Sequence, residues 1–281
     1  MKKRMILLDV LLCILITFTA ACFSIKPLVV KTISTDMSGT AISHQFMDFV
    51  YKEFPNAASN DMLMVQNKLA ESKAIENITG KYIDQIIKNR GKTSTLYTSP
   101  KDIDRLRDEA ISIIEDNIGI KVTDTQKQSL QNMIDEHKDT MISQLESTIS
   151  YFSSMASNPQ YGFLFQLYAI GTSLLFQFVC VLLSIACAYL LIRQSTLEKA
   201  VYHIAICCII SAVCLYAVIP NIADSILATL ANHILGRTTF FNFSPMKTAG
   251  MILIILAIIA GIIGLFLHHK DVNTQETIHL A

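Results

Sequence analysis

The sequence predicts an all-α, polytopic membrane protein with four transmembrane helices and an external helical bundle inserted between the first and the second. Four apolar stretches are long enough to cross a hydrocarbon core about 30 Å thick, which needs about 20 helical residues. Roughly 130 hydrophilic residues separate the first stretch from the other three, and they contain few Gly and Pro residues. An inserted helical domain follows from this order.

Composition supports the same division. The chain is 52% hydrophobic and 16% charged, whereas a soluble domain carries about a quarter charged residues. Residues 26–161 hold 15 of the 23 Lys and Arg residues and 18 of the 23 Asp and Glu residues, and the chain has zero net charge. A nucleic-acid partner would need a clustered basic face, so none is expected. All seven cysteines lie in or beside apolar stretches, so packing rather than disulfides must hold the hydrophilic part together.

Three regions are predicted. Residues 1–27 hold the N-terminus and the first span, Met5–Ile25, which ends at Pro27. Residues 28–160 form the extracytoplasmic helical domain. Residues 161–281 hold three spans, an external amphipathic loop and a short cytoplasmic tail: the spans lie at about 163–192, 201–219 (ended by Pro220) and 248–267, and the loop at 220–247.

Lys and Arg residues in short loops set the orientation. The N-terminus carries three of them, the link after the second span carries Arg193 and Lys199, and the C-terminal flank carries Lys270. With four spans these positions share one side of the membrane. We therefore expect both termini in the cytoplasm and residues 28–160 outside.

The first span has an alternative interpretation as a cleaved signal peptide. Thr19-Ala20-Ala21 is an acceptable cleavage site, and Cys22 after two alanines suggests a lipoprotein signal. Thr19 stands where lipoprotein signals have Leu, and Asp9 interrupts the apolar core. We favour an uncleaved signal anchor.

Four helices are predicted in the inserted domain. They cover about 38–54 and 60–90, a third from Ser99-Pro100 to Gly119, and a fourth that starts with a capping box at Thr123 and ends near Pro159. Long helices with short links favour an antiparallel bundle of three or four. The fourth ends close to the second span, so the bundle could relay its state to the membrane, although such helices are usually static.

Polar residues inside spans are candidates for function because burying them in lipid is costly. Asp9 and His203 lie near the cytoplasmic ends of the first and third spans, where contact with each other would satisfy both. His203 and Cys207 are four residues apart, a spacing that could start a metal site. No second pair accompanies them, so no metal and no other cofactor is expected.

The loop after the third span repeats isoleucine and leucine every four residues from Ile222 to Ile234, which predicts an amphipathic helix on the outer membrane surface. A re-entrant, pore-lining hairpin is the alternative. The candidate interfacial residues are Asp224, His233, Phe240, Phe241 and Phe243, the three phenylalanines serving as an anchor.

Small residues on the fourth span predict close helix packing, within the chain or between copies. Ala257 and Gly261, and likewise Ala260 and Gly264, are four residues apart, and small residues at this spacing let helix backbones approach in lipid.

No catalytic or nucleotide-binding motif was found, so we predict a non-enzymatic integral membrane protein. A Lys-, Ile- and Asn-rich composition without Trp fits a bacterial envelope. Besides the lipid bilayer, the expected partner is another protein or a second copy, with the external domain binding it. A membrane enzyme acting at the outer surface is the weakest alternative.

The main alternative is a subunit of a membrane transporter or channel complex. One span, an external domain and three further spans resemble the topology of some ABC-transporter permeases. Those permeases have an amphipathic cytoplasmic helix before the first span and strands in the external domain. Here only Met1–Arg4 precedes the span, and the domain is predicted to be helical.

Overall fold

The computed structural model of the 281-residue chain describes residues 2–88, 99–157, 162–235 and 241–279. Regular structure in these ranges is helical, without a strand. The chain forms two compact units, which we call the membrane unit (Met1–Leu28 with Tyr168–Ala281) and the helical unit (Val29–Leu167).

Four helical stretches are long and apolar enough to cross a membrane, as in a multi-pass membrane protein: Arg4–Ile33, Leu174–Gln194, Leu197–Thr229 and Ser244–His269. The helices that carry them, with those directly adjoining, are α1 (Lys2–Ile33), α7 (Gly162–Gly171), α8 (Leu174–Gln194), α9 (Leu197–Val213), α10 (Ile219–Leu235) and α11 (Ser244–His279).

Neither proline ends its span as predicted. Pro27 lies inside α1, which continues to Ile33, and Pro220 lies in the first turn of α10. A π-helical turn, Cys214–Val218, joins α9 to α10. Proline in a helix interior lacks one N–H donor and its ring clashes with the carbonyl four residues back. A widened π turn immediately before Pro220 gives the ring room, so the helix passes through.

The other predicted span limits also differ. Residues 163–192 are divided between α7 and α8 by a break at Thr172–Ser173, where Ser173 has an extended backbone. The last span begins earlier than predicted, at Ser244, and its helix continues to His279. Much of the predicted 220–247 loop is therefore helix, as α10 and the start of α11.

The helical unit contains five further helices: α2 (Thr40–Glu53), α3 (Ser59–Ala70), α4 (Lys73–Lys88), α5 (Pro100–Ile118) and α6 (Asp124–Ser157). A second π-helical turn, Ser34–Gly39, precedes α2. The single helix predicted at 60–90 is wrong, because the chain breaks between α3 and α4 while Gly80 stays helical. The end of that predicted helix, together with the Pro159 link before α7, lies outside the described residues.

Two side chains explain the break before α4. The carboxylate of Glu109, on α5, accepts hydrogen bonds from the backbone N–H groups of Lys73 at 2.8 Å and Ala74 at 2.7 Å. The hydroxyl of Ser72 accepts from Ala74 at 3.2 Å. The first N–H groups of a helix have no intrahelical acceptor, and an acid there also stabilises the helix dipole. A new helix can therefore begin at Lys73.

The residues predicted to begin or end α5 and α6 mostly have these roles in the structure. Gly119 has φ of 74°, the left-handed conformation that ends α5. Thr123 and Gln126 form a reciprocal capping box: the Gln126 N–H donates to the Thr123 hydroxyl at 3.3 Å, and the Gln126 amide oxygen accepts from the Thr123 N–H at 3.0 Å. Ser99 differs, because its hydroxyl donates to Asp102 at 2.7 Å instead of accepting from the backbone.

One apolar core joins the five helices. Its largest fully buried side chains include Phe46 on α2, Leu69 on α3, Tyr82 on α4, Ile114 on α5 and Ile134 on α6. Within a helix the core positions recur every three or four residues, as in Ile103, Leu106, Ala110 and Ile114 along α5, which is the spacing of a core face. Leu63 on α3 and His137 on α6 are exposed.

Position 39 requires glycine, because two backbone carbonyl oxygens lie where a Cβ atom would be. A Cβ placed there would collide with the carbonyl oxygen of Ala70, at the end of α3, and lie 2.6 Å from the carbonyl oxygen of Ser34. We predict that Gly39→Ala destabilises the protein by about 1–3 kcal/mol, because a rigid backbone must move.

Gly80→Ala is the matched control, since its Cβ would meet only the Val30 side chain at 3.4 Å and should stabilise α4 by up to about 1 kcal/mol. Hydrogen exchange of the full chain in detergent measures both effects. Equal protection of α2 and α3 in Gly39→Ala and in the unmodified protein would contradict this account.

Asp102 links α4 to the start of α5. Its side chain is 4% exposed, both carboxylate oxygens lie 2.7 Å from Nζ of Lys81, and Ser99 donates to one of them. Burial by itself would raise the pKa of the carboxyl group. The hydrogen bonds from Lys81 and Ser99, with the Lys81 charge, outweigh burial and hold the pKa of Asp102 below its ordinary value.

A lowered pKa makes stability depend on pH. The ionised Asp102 contributes stability that is fully present above the unfolded-state pKa of about 3.9 and is lost as pH falls through the lower folded-state pKa. We predict that Asp102→Asn costs about 1–2 kcal/mol at neutral pH, a moderate figure because Lys81 is half-exposed.

The measurement is hydrogen exchange of α5 as a function of pH. The difference between Asp102→Asn and the unmodified protein should shrink below about pH 4, where Asp102 begins to be protonated. Asp104→Asn, an exposed acid 3.4 Å from Arg107, should change stability by less than about 0.5 kcal/mol. A difference that is the same at pH 7 and pH 3 would contradict the assignment.

Candidate functional site

Helix α1 is held by side chains of α8 and α9 that donate to its backbone carbonyl groups. The thiol of Cys187, on α8, lies 3.6 Å from the carbonyl oxygen of Leu8. On α9, the Cys207 thiol lies 3.5 Å from that of Asp9, and the Ser211 hydroxyl lies 3.2 Å from that of Cys13. Polar contacts of this kind stabilise helix pairs in lipid, where no hydrophobic effect drives association.

A buried amide makes a fourth contact with the α1 backbone, further along the helix. Gln177, on α8, is 7% exposed. Its Nε2 donates to the carbonyl oxygen of Cys22 at 3.3 Å and to that of Gly171, at the end of α7, at 3.1 Å. Sequence reasoning missed this residue, although an amide inside an apolar span was a usable signal.

Asp9 and His203, the two candidate intramembrane polar residues, are in contact. Oδ2 of Asp9 lies 3.0 Å from Nδ1 of His203, with side chains 23% and 34% exposed. The other carboxylate oxygen of Asp9 is buried and has no hydrogen-bond partner among the described residues. Cys207 lies one turn further along α9, so the Asp9 region is held through both its side chain and its backbone.

A second histidine–carboxylate pair lies near the start of α9. Nδ1 of His268, on α11, is 2.8 Å from Oε1 of Glu198, which is in the first turn of α9. Helix α9 is therefore joined to α1 through His203 and to α11 through Glu198.

A groove of about 630 Å³ runs along α1 and α9. Asp9 and His203 line its beginning, and Ala21 and Ile219 line it at the greatest distance along the two helices. Between them the lining is mainly aliphatic and aromatic: Val10, Ile14, Phe18, Ile206 and Ile210, with Cys13, Thr17, Cys207 and Cys214. We take this groove as the candidate functional site.

The predicted interfacial residues that the structure describes differ in exposure. Asp224 is exposed on α10, Phe241 is half-buried and Phe243 is 8% exposed. A buried Phe243 does not serve as an anchor exposed to lipid head groups, because it packs within the protein. The side chain of His233 and the whole of Phe240 lie outside the described residues.

The helix-packing candidates separate into two groups. A Cβ at Gly264 would lie 3.1 Å from the ring of Tyr202, and Ala257 is 4% exposed. Gly250 belongs with them, because its Cβ would lie 3.1 Å from the carbonyl oxygen of Ala212. These three residues are seven apart and form one face of α11 against α9. Ala260 is only half-buried, and nothing lies within 4 Å of a Cβ at Gly261.

Across the described ranges, no group of three or more His, Cys, Asp or Glu residues is arranged to hold a metal ion. His203 and Cys207 instead both contact Asp9, through its carboxylate and its backbone carbonyl oxygen respectively. No family model, curated protein or solved structure matches this chain.

Replacing glycine with leucine should have different effects in the two groups of small residues. Gly250→Leu should force α11 away from α9 and cost about 1–3 kcal/mol, since its Cβ already meets a backbone carbonyl oxygen at 3.1 Å. Gly261→Leu should be close to neutral. The fraction of protein that remains monodisperse after heating in detergent measures both, and equal losses would contradict the assigned packing face.

Proposed function

We propose that this chain is a non-enzymatic, multi-pass integral membrane protein of the bacterial envelope whose helical unit binds another protein outside the membrane. One observation carries the proposal: four polar side chains of the spans join helices. Cys187, Cys207, Ser211 and Gln177 all donate to backbone carbonyl groups. A transporter or channel path needs polar groups that face water, and the groove beside α1 is mainly apolar.

The packing of α1 also supports a retained signal anchor. Cys22 is 2% exposed, and its carbonyl oxygen accepts from Gln177. Cleavage after Ala21 would remove the acceptors of Cys187, Cys207 and Ser211. We therefore propose that α1 stays in the mature protein, with both termini in the cytoplasm and residues 28–160 outside.

The helical unit supports a binding role because its surface is not uniformly polar. Tyr51 on α2 and the consecutive residues Leu63 and Met64 on α3 are each more than half exposed, at 56%, 56% and 57%. Exposed large apolar side chains are typical of protein–protein contact sites, where aromatic residues and Met are enriched.

The topology can be tested with single cysteines, because the helical unit contains none of the native ones. We predict that Asn132→Cys, at an exposed position of α6, reacts with a membrane-impermeant maleimide in intact cells. Lys199→Cys, exposed at the start of α9, should react only after the cells are permeabilised. The reverse pattern, or labelling of both positions in intact cells, would overturn the proposed orientation.

Binding can be tested with a photo-cross-linking amino acid placed in living cells. Positions 51, 63 and 64 should each give the same discrete product, and the exposed polar position Asp104 serves as the control. A product of twice the protein's mass would identify a second copy as the partner. Absence of a discrete product at all three apolar positions would argue against a docking role for this surface.

A further inference from the structure

We propose that the groove between α1 and α9 binds one acyl chain of an anionic phospholipid, whose phosphate group accepts a hydrogen bond from Nε2 of His203. The proposal concerns the membrane unit alone and does not depend on the partner of the helical unit. It rests on the length of the groove, on the free nitrogen of His203 and on the charges beside it.

The length of the groove matches one leaflet. Its lining on α1 extends from Asp9 to Ala21, about 18 Å at 1.5 Å per residue. Half of a hydrocarbon core is about 15 Å, whereas a transmembrane helix of another chain would need about 30 Å. A groove that starts at a polar end and runs for one leaflet suits a lipid chain better than a second helix.

His203 leaves one ring nitrogen for a ligand. Nδ1 is engaged by the carboxylate of Asp9 at 3.0 Å, and no described residue hydrogen-bonds Nε2. In the imidazolium form both nitrogens donate, so Asp9 fixes the ring while Nε2 can donate to a phosphate oxygen. His203 is 34% exposed and lines the beginning of the groove, where a head group would lie.

Positive charge near this end favours an anionic lipid. Arg4 is exposed five residues before Asp9, and Lys199 is exposed four residues before His203. Basic residues beside a membrane surface attract anionic head groups. Asp9 contacts Nδ1 of His203, so its carboxylate does not compete for the hydrogen bond from Nε2.

The experiment measures lipid retained by the full-length protein. Protein stripped of lipid in detergent is mixed with phosphatidylglycerol or with diacylglycerol of identical chains, which lacks the phosphate, and bound lipid is counted by native mass spectrometry. The unmodified protein should retain one phosphatidylglycerol, at least roughly tenfold in preference to diacylglycerol, as expected for a hydrogen bond to a charged group.

Two variants should each lower the retention of phosphatidylglycerol by about tenfold. His203→Gln removes the imidazole ring, and Ile210→Trp fills the groove without altering its polar end. Their controls are His268→Gln, which breaks the comparable pair with Glu198 on α11, and Ile255→Trp at an exposed α11 position that does not line the groove. Both controls should retain phosphatidylglycerol as the unmodified protein does.

Three results would overturn the proposal. Equal retention of both lipids would show that the head group is not recognised. A preference that is unchanged in both His203→Gln and Ile210→Trp would assign it to the basic residues alone. A dimer of the stripped protein that Ile210→Trp converts to a monomer would assign the groove to a second copy of the chain.

Discussion

The structure depends on hydrogen bonds that fasten the backbone of α1 to two helices made much later in the chain. Cys187, Cys207, Ser211 and Gln177 each donate to a carbonyl oxygen of α1, at distances from 3.2 to 3.6 Å. Lipid supplies no hydrophobic force between helices, so such contacts and small residues decide which helices pair. The membrane unit is therefore completed only after the whole helical unit has been synthesised, when α8 and α9 meet α1.

The same contacts determine which polar groups of the membrane unit remain available to a ligand. The thiols of Cys187 and Cys207 and the hydroxyl of Ser211 donate to backbone acceptors, and the groove beside α1 is mainly apolar. Nε2 of His203 differs from these donors, because Asp9 engages only the other nitrogen of the ring. The lipid site that we propose uses this nitrogen, and it is independent of the protein partner that we propose for the helical unit.

The sequence was sufficient where the signal was local. Four long apolar stretches gave the fold class, Gly119 gave the end of α5, and Thr123 with Gln126 gave the start of α6. It was insufficient where a distant residue decides the outcome. The start of α4 depends on Glu109, which lies on α5 and accepts hydrogen bonds from the first N–H groups of α4. Which small residues of α11 face α9 depends on rotation of the helix, so Gly250 and Gly264 could not be distinguished from Gly261. The span end predicted at Pro220 was wrong, because a π-helical turn that the sequence pattern does not reveal accommodates the proline.

The most direct test of the central claim is a cross-link between α1 and α9 in native membranes. Cys13 and Cys207 face each other across this contact, the Cys13 thiol lying 3.9 Å from the carbonyl oxygen of Cys207. With Cys187 replaced by serine, the other four cysteines replaced by alanine and a protease site inserted after the exposed Ile120, oxidation with iodine should join the two fragments until a reductant separates them. Fragments that separate without reduction, or a mature chain that begins at Cys22, would contradict the packing of α1 described above.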